Sequence, residues 1–80
     1  MTNTEKYSQV YVTCFTLNVD DLKEELEYNS ISTWDSIGHM SMIAEMEDVF
    51  DIMIDIEDIL DWSTFGKGKE ILKEKYEIDF

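Results

Sequence analysis

The chain contains 80 residues, of which 44% are hydrophobic and 31% charged, which is enough apolar material for one small core and too much for a disordered acidic tail. Nineteen acidic residues against six basic ones give a net charge of -13, which repels nucleic acids and anionic membranes and attracts basic protein surfaces. We therefore expect one domain over residues 1–80, monomeric, with basic proteins as partners and no nucleic acid bound.

The cysteine count and the N-terminus restrict the chemistry and the location. Cys14 is the only cysteine, so an internal disulfide is excluded, and one cysteine with one histidine cannot form a zinc site. No basic leader followed by an apolar stretch is present, and no apolar run approaches the ~20 residues that cross a bilayer. We expect a cytoplasmic protein without a membrane span.

A first helix is predicted over residues 4–16. Its apolar side chains recur at helical spacing, which places them on one stripe facing the core: Tyr7, Val10, Tyr11, Cys14 and Phe15. A polar residue just before this stretch is expected to cap the helix: Thr2, Asn3 or Thr4.

The connection that follows is harder to interpret. Asp20 and Asp21 precede Leu22 and Leu26, a pattern that predicts a helix of two turns ending near Tyr28. A long connection in so small a domain is either functional or packed down by its own apolar residues.

The second half of the chain predicts three more helical segments. One begins at Ser36 and ends near Phe50, with a broad apolar face and an acidic opposite face. An extended linker then leads to a short helix over residues 57–60, capped by Asp55. The last helix is capped by Ser63 or Thr64 and directs four side chains to the core: Phe65, Ile71, Leu72 and Tyr76. The predicted fold is all-α, a small bundle of three main helices plus one short helix.

Ser36 and His39 are residue types found in nucleophilic catalysis, but their arrangement does not favour an enzyme. They lie three residues apart on one predicted helix, whereas the serine of a catalytic triad is activated by a histidine from elsewhere in the fold. The sequence around Ser36 is not a G-x-S-x-G elbow either. We expect His39 to be a partly exposed helix residue and the protein not to be an enzyme.

The run Asp35-Ser36-Ile37 resembles the Asp-Ser-Leu signature of acyl and peptidyl carrier proteins. The resemblance continues through the apolar and acidic residues 42–50 and then through Ile54, Asp58 and Ile59. It covers most of the chain and agrees with the predicted helical bundle.

The resemblance implies a covalent cofactor. In this family a serine at the position of Ser36 receives 4'-phosphopantetheine from coenzyme A through a separate phosphopantetheinyl transferase. The thiol of that arm then carries acyl intermediates as thioesters, in fatty acid biosynthesis or in a specialised acyl or polyketide pathway. Asp35 would orient the serine or help to hold a divalent ion during transfer, or it is a plain helix cap.

The resemblance also implies two further groups of residues. Acidic and apolar positions would present the protein to acyl-loading and acyl-processing enzymes with basic surfaces: Glu47, Asp48, Ile37 and Asp58. A space between the second and third helices would hold the cargo, lined by Met40, Met46, Ile54 and Ile59.

Ile37 and the residues 38–41 depart from the pattern of general fatty acid carriers. They favour a dedicated carrier for a modified fatty acid, a polyketide or an activated amino acid, and the strong acidity favours acyl over aminoacyl cargo. Two alternatives stay open: an aminoacyl or peptidyl carrier protein, and an unmodified acidic interaction module in which Ser36 only caps a helix.

Overall fold

A computed structural model describes residues 2–80 of the chain. It contains four α-helices: α1 (Asn3–Phe15), α2 (Ser36–Phe50), α3 (Ile56–Asp61) and α4 (Phe65–Lys75). No β-strand occurs within residues 2–80, although Glu27 and Thr64 form one isolated bridge. The prediction of an all-α bundle with three main helices and one short helix is confirmed.

Helix α1 begins with a capping box. The Thr2 hydroxyl accepts from the Glu5 amide at 3.1 Å, and the Glu5 carboxylate accepts from the Thr2 amide at 3.1 Å. Hydrogen bonds to Thr2, led by the one from its backbone amide, hold the pKa of Glu5 below its ordinary value. The helix ends where Thr16 adopts a left-handed conformation with φ of 56°. Of the three predicted caps, Thr2 is confirmed.

One aromatic core joins α1, α2 and α4 with the segment before α2. Two tryptophans and two tyrosines are among the most completely buried side chains. Burial of these large rings contributes strongly to the hydrophobic stabilisation of so small a domain. Cys14, expected in the core, lies half-buried at its edge.

A directed chain of hydrogen bonds runs through this core. The Trp62 indole N–H donates to the Tyr11 hydroxyl at 2.8 Å, and the Tyr7 hydroxyl donates to the Phe65 carbonyl at 2.6 Å. Tyr11 must therefore donate to Tyr7 across their 3.1 Å contact. Burial raises the pKa of Tyr11 well above its ordinary value, so its hydroxyl group within this network stays uncharged. Each polar group of this network has a partner, so its hydrogen bonds offset the cost of removing these groups from water.

Gly68 allows α4 to approach this network. A Cβ atom at this buried position would overlap the Trp62 ring and the Tyr7 hydroxyl. The glycine lowers helix propensity, but it lets α4 pack directly against the aromatic core.

The predicted two-turn helix over residues 20–28 is wrong. A single 3-10 turn forms at Val19–Asp21. The chain then continues through further turns and one isolated bridge at Glu27, and we call residues 24–28 the strap. The amides of Phe65 and Gly66 donate to carbonyls of the strap at 2.8 and 3.0 Å, and the Tyr28 amide donates to the Ser63 carbonyl at 2.9 Å. These long-range bonds satisfy backbone groups that a helix would otherwise pair internally.

The segments around α3 agree with the prediction in part. Residues 52–55 are extended, and the Ile54 amide donates to the Glu47 carboxylate at 2.9 Å. Asp55 precedes α3 as predicted, but its carbonyl rather than its carboxylate accepts the helix bond, from the Ile59 amide at 3.0 Å. Thr64 caps α4, accepting from an amide of the first turn at 2.9 Å, which confirms one of the two predicted caps.

Candidate functional site

Ser36 is the first residue of α2 and is exposed to solvent. Asp35 before it has an extended backbone, and its carboxylate accepts from the Gly38 amide at 2.8 Å. Asp35 is therefore a helix cap, as one of its two interpretations predicted. The amides of Ser36 and Ile37 have no partner within a helix that begins here, so this end of α2 favours a negatively charged group.

Gly38 fixes the position of this helix end. A Cβ atom at Gly38 would overlap the Thr33 carbonyl and would come within 3.2 Å of the Phe15 ring. The Thr33 hydroxyl in turn donates to the Phe15 carbonyl at 2.9 Å. The first turn of α2 is thus packed directly on the end of α1, which explains why a glycine follows Ile37 in this chain.

His39 is buried, with 8% of its surface exposed, so the expectation of a partly exposed residue is wrong. Its Nδ1 lies 2.9 Å from the Trp34 indole nitrogen, and its Nε2 lies 2.9 Å from the Ile59 carbonyl oxygen. Trp34 itself is fully buried. No local pattern predicts this arrangement, because Ile59 lies 20 residues away on α3.

These contacts also bear on whether Ser36 could act as a catalytic nucleophile. Both ring nitrogens of His39 are engaged, and the carboxylate of Asp35 binds a backbone amide. In this arrangement His39 has no free ring nitrogen to act as a base for Ser36, and Asp35 uses one of its two oxygens to cap α2.

An open cleft of about 340 Å³ lies beside Ser36, between α2 and α3. Most of its lining is apolar or aromatic: Tyr28, Ser36, His39, Met40, Ile56, Ile59, Leu60, Trp62 and Ser63. The sequence did not indicate Tyr28 or Ser63, which meet there because the strap hydrogen-bonds to the α3–α4 junction.

Only two of the four residues predicted to line a cargo pocket lie in this cleft. Met40 and Ile59 do so, whereas Met46 and Ile54 are buried in the hydrophobic core. Met46 and Ile54 therefore do not contribute to this cleft, and a role for them in holding cargo stays a prediction. The space between the helices at the level of these two side chains is filled by the side chains themselves.

The rim of the cleft carries exposed apolar side chains. Ile37 is 77% exposed, and Leu60 on the opposite side is 79% exposed. Asp48 is exposed farther along α2. Glu47 is partly buried and holds the Ile54 amide, so its carboxylate has a structural role as well as a surface one.

Asp58 is not on the exposed acidic surface, and that prediction is wrong. It is 2% exposed and accepts from the Lys75 ammonium and the Tyr76 hydroxyl, both at 2.6 Å. The Tyr76 hydroxyl also accepts from the Asp55 amide at 2.9 Å. The bonds from Lys75 and then from Tyr76 hold the pKa of Asp58 below its ordinary value. We call this group the α3 brace, since it ties α3 to the end of α4.

The remaining acidic side chains of the second half form a diffuse field. Those exposed on α2 and α3 and in the linker between them are Glu45, Asp48, Asp51, Asp55, Glu57 and Asp61. Within residues 2–80 no three of the candidate ligand side chains converge on a point where they could hold a metal ion. None of the described helices is both long and apolar enough to cross a membrane.

A small acidic helical bundle that displays a capped serine at the start of its second main helix, beside an apolar cleft, agrees with the architecture expected for a carrier protein. The D-alanyl carrier protein of Streptococcus uberis is 33% identical to this chain over 76 residues, covering 92% of the chain and 95% of the relative. The chain belongs to the phosphopantetheine-binding carrier protein family. No family model matches it, and no solved structure matches it.

Proposed function

We propose that this carrier protein holds activated intermediates on a 4'-phosphopantetheine arm attached to the Ser36 hydroxyl. The observation that carries the proposal is the exposed Ser36 at the capped start of α2, beside the cleft, in a chain of this family. Its position matches what a covalent carrier needs: a hydroxyl that another enzyme can reach, anchored on a rigid helix.

The residues present fit such an arm. The unpaired amides at the start of α2 favour a phosphodiester on the Ser36 oxygen. The apolar lining of the cleft provides a surface along which a flexible arm can lie. When bound, the arm supplies a terminal thiol that holds the cargo as a thioester.

The attachment step depends on a partner enzyme. The Ser36 oxygen forms a bond to phosphorus, one P–O bond of the coenzyme A pyrophosphate breaks, and adenosine bisphosphate leaves. The serine proton needs a base, and both ring nitrogens of His39 are already engaged, by Trp34 and Ile59. We therefore expect the phosphopantetheinyl transferase to supply the base.

The surface next to Ser36 suits partners with basic surfaces. Ile37 and Asp48 are exposed on the first and later turns of α2, and Glu47 is partly exposed between them and the linker. We expect these side chains to contact the transferase and the enzymes that load and process the cargo. A net charge of -13 accelerates encounter with such partners more than it tightens the complexes.

The first cargo candidate is a small aminoacyl group. The nearly full-length similarity to a D-alanyl carrier protein favours it. The filled core between α2 and α3 at Met46 and Ile54 also agrees with a cargo that does not enter the bundle.

The second cargo candidate is an acyl group from a fatty acid or specialised acyl pathway. The cleft favours it, because Met40, Ile59 and Leu60 give its lining an apolar character next to the attachment point. A cleft of about 340 Å³ is large enough for part of a short chain.

The attachment is tested by mass spectrometry of the purified chain after incubation with coenzyme A, magnesium and a phosphopantetheinyl transferase of broad specificity. We expect the chain to gain one phosphopantetheinyl group and the variant Ser36→Ala to gain none. Ser41→Ala is the matched control, since Ser41 is also exposed on α2, and it should react like the original chain. Equal modification of Ser36→Ala would contradict the proposal.

The cargo is tested on the protein isolated from the cells that produce it. Protein purified at mildly acidic pH keeps its thioester, and hydroxylamine then releases the bound group for identification by mass. An amino acid hydroxamate supports the first candidate, and a fatty acyl or polyketide hydroxamate supports the second and excludes the first.

A further inference from the structure

The cleft beside Ser36 has a rim and a floor that differ in their exposure to solvent. Its rim includes Met40 and Leu60, which are exposed. Its floor is formed by Trp62 and His39, which line the cleft although Trp62 is only 1% exposed and His39 is buried. Side chains that border an open cleft and are still almost completely covered lie at its bottom, with other parts of the protein packed behind them.

Each side chain of the floor contacts an aromatic ring behind it. The Trp62 indole N–H donates to the Tyr11 hydroxyl at 2.8 Å. The His39 ring stacks on Trp34 with ring centres 6.1 Å apart, and its Nδ1 lies 2.9 Å from the Trp34 indole nitrogen. Tyr11 and Trp34 are fully buried, and neither of them lines the cleft. Two layers of packed rings therefore separate the cleft from the rest of the hydrophobic core.

Trp62 is the floor residue that is most tightly enclosed. A Cβ atom at Gly68 would overlap its indole ring, so the backbone of α4 is in direct contact with it. The Tyr7 ring lies close to parallel to it, with ring centres 6.2 Å apart. A ring of this size in a close-packed interior cannot swing aside without leaving a void and losing its hydrogen bond to Tyr11. Trp62 therefore sets the depth of the cleft.

We propose that Trp62 is a specificity-determining residue: it closes the cleft toward the core, so that a chain attached at Ser36 lies along the cleft and does not enter the bundle. Attachment itself determines the occupant. Ser36 lines the cleft, so the first atoms bonded to its oxygen already lie at the edge of the cleft. The apolar side chains of Met40 and Leu60 then favour a flexible, largely apolar chain along the rim.

The size of the cleft agrees with this kind of occupant. Its volume of about 340 Å³ lies at the lower end of the range of roughly 300–1,000 Å³ that is usual for sites of small ligands. The cleft is open to solvent along its rim, where Ile56 and Leu60 are exposed. A chain that lies in it is therefore partly covered on the side of the floor and stays in contact with water on the side of the rim.

The consequence for the carrier role rests on the proposed function. If Ser36 bears the arm, the arm occupies the cleft, and its cargo remains outside the bundle, where water and partner enzymes reach it. Such an arrangement suits a small cargo that needs no shelter better than a long apolar chain. The closed floor itself is a property of the unmodified fold, so it is tested without coenzyme A or a transferase.

The test attaches a plain alkyl chain at the same position. The full chain with Ser36→Cys and Cys14→Ser has one thiol, since Cys14 is the only cysteine. Octyl methanethiosulfonate reacts with it: the thiolate forms a disulfide bond to the octyl-bearing sulfur, and methanesulfinate leaves. We call this protein the thiol background and attach a propyl chain in the same way for comparison.

NMR then measures which side chains the terminal methyl group of the octyl chain contacts. In the thiol background we expect nuclear Overhauser effects to the rim, at Met40 or Leu60, and none to the core, at Tyr11 or Met46. Contacts with Tyr11 or Met46 would overturn the proposal, and this measurement needs no substitution at Trp62.

Removal of the floor should admit the chain. Trp62→Leu leaves a cavity continuous with the cleft, and apolar cavities of this kind take up apolar groups. The terminal methyl group should then contact Tyr11. Replacement of propyl by octyl should raise the melting temperature of Trp62→Leu by about 5 °C more than that of the thiol background, the effect of about one further buried methylene group. Trp62→Phe should give a smaller shift in the same direction and takes the place of Trp62→Leu if that variant does not fold.

Leu72→Ala is the matched control. It also removes a completely buried side chain, but Leu72 does not line the cleft, so the difference between octyl and propyl should equal that of the thiol background. An equal difference in the Trp62 variants as well would overturn the role of Trp62.

The outcomes separate this proposal from the proposed function. If Ser36 receives no phosphopantetheine, the proposed function fails, whereas the alkyl test of the floor still holds because it uses thiol chemistry alone. If the octyl chain enters the core of the thiol background, the role of Trp62 fails, whereas attachment of the arm to Ser36 is unaffected.

Discussion

The two sides of this small bundle are built differently. On the side of α1 and α4, the rings of Tyr7, Tyr11 and Trp62 are buried and joined by a complete chain of hydrogen bonds. On the side of α3, a helix of six residues leaves Ile56 and Leu60 exposed and is held by a few polar contacts. The first side provides stability, and the second borders the cleft beside Ser36.

The difference shows how 80 residues can combine a stable core with an adaptable surface. Removal of buried apolar groups reduces stability strongly, whereas exposed apolar groups contribute little to folding. The apolar residues around the cleft are thus free to serve recognition. Four experiments, given in order of decreasing expected effect, test this division.

Truncation of a leucine should lower the free energy of unfolding strongly on the α1–α4 side and hardly at all on the α3 side. Leu72 is completely buried, whereas Leu60 is 79% exposed. We expect Leu72→Ala to lower the free energy of unfolding by about 3 kcal/mol and Leu60→Ala to change it by less than ~0.5 kcal/mol. Urea denaturation at neutral pH measures both, and similar losses in the two variants would refute the division.

Addition of a methyl group at Gly68 should also destabilise the side formed by α1 and α4. The added methyl group of Gly68→Ala meets the Trp62 ring and the Tyr7 hydroxyl, and we expect a loss of about 2 kcal/mol after the gain in helix propensity. Gly66→Ala is the control, since its closest obstacle is the flexible carboxylate of Glu24. A Gly68→Ala variant as stable as Gly66→Ala would mean that the neighbouring core side chains can rearrange to accommodate the methyl group.

The α3 brace should make part of the stability depend on pH. Lys75 and Tyr76 lower the pKa of Asp58, so this contribution is present above the unfolded value of about 3.9 and is lost as the pH falls through the lower folded value. At pH 7, Asp58→Asn should be less stable by about 1 kcal/mol. The difference from the original chain should shrink toward pH 2, and a constant difference in urea denaturation between pH 7 and 2 would contradict the brace.

Screening of the acidic field should have the smallest effect. Because the net charge is -13 and the described acidic residues form no metal cluster, millimolar magnesium should raise the melting temperature by a few degrees, about 0.5 kcal/mol. Sodium chloride at higher concentration should act in the same direction. Asp48→Asn should reduce both responses slightly, whereas a melting temperature indifferent to both salts would show that repulsion is unimportant.

The sequence predicted the parts of the molecule that depend on neighbours along the chain. Thr2, Asp35 and Thr64 cap their helices because capping needs only a polar side chain a few residues before an apolar pattern. Ser36 at the start of α2 follows from the same local rule. These features positioned the candidate attachment residue correctly relative to its helix.

The errors at His39, Asp58 and the strap involve partners distant in sequence. His39 is buried and bonds to the Ile59 carbonyl 20 residues away, and Asp58 is buried and accepts from Lys75, 17 residues away. The strap is not helical because its backbone groups pair with the α3–α4 junction. Periodicity in a single sequence contains no information about which elements come together, so it could not distinguish a surface carboxylate from a buried one.

The two tryptophans give the protein an intrinsic optical signal. Trp34 and Trp62 are its only indoles, both are buried, and each donates a hydrogen bond, to His39 and to Tyr11 respectively. The emission of Trp34 should therefore report on its surroundings beside His39 and Phe15, and that of Trp62 on its surroundings beside Tyr11 and the cleft. With Trp34→Phe and Trp62→Phe as single-tryptophan variants, the surroundings of each indole can be followed separately in solution by fluorescence.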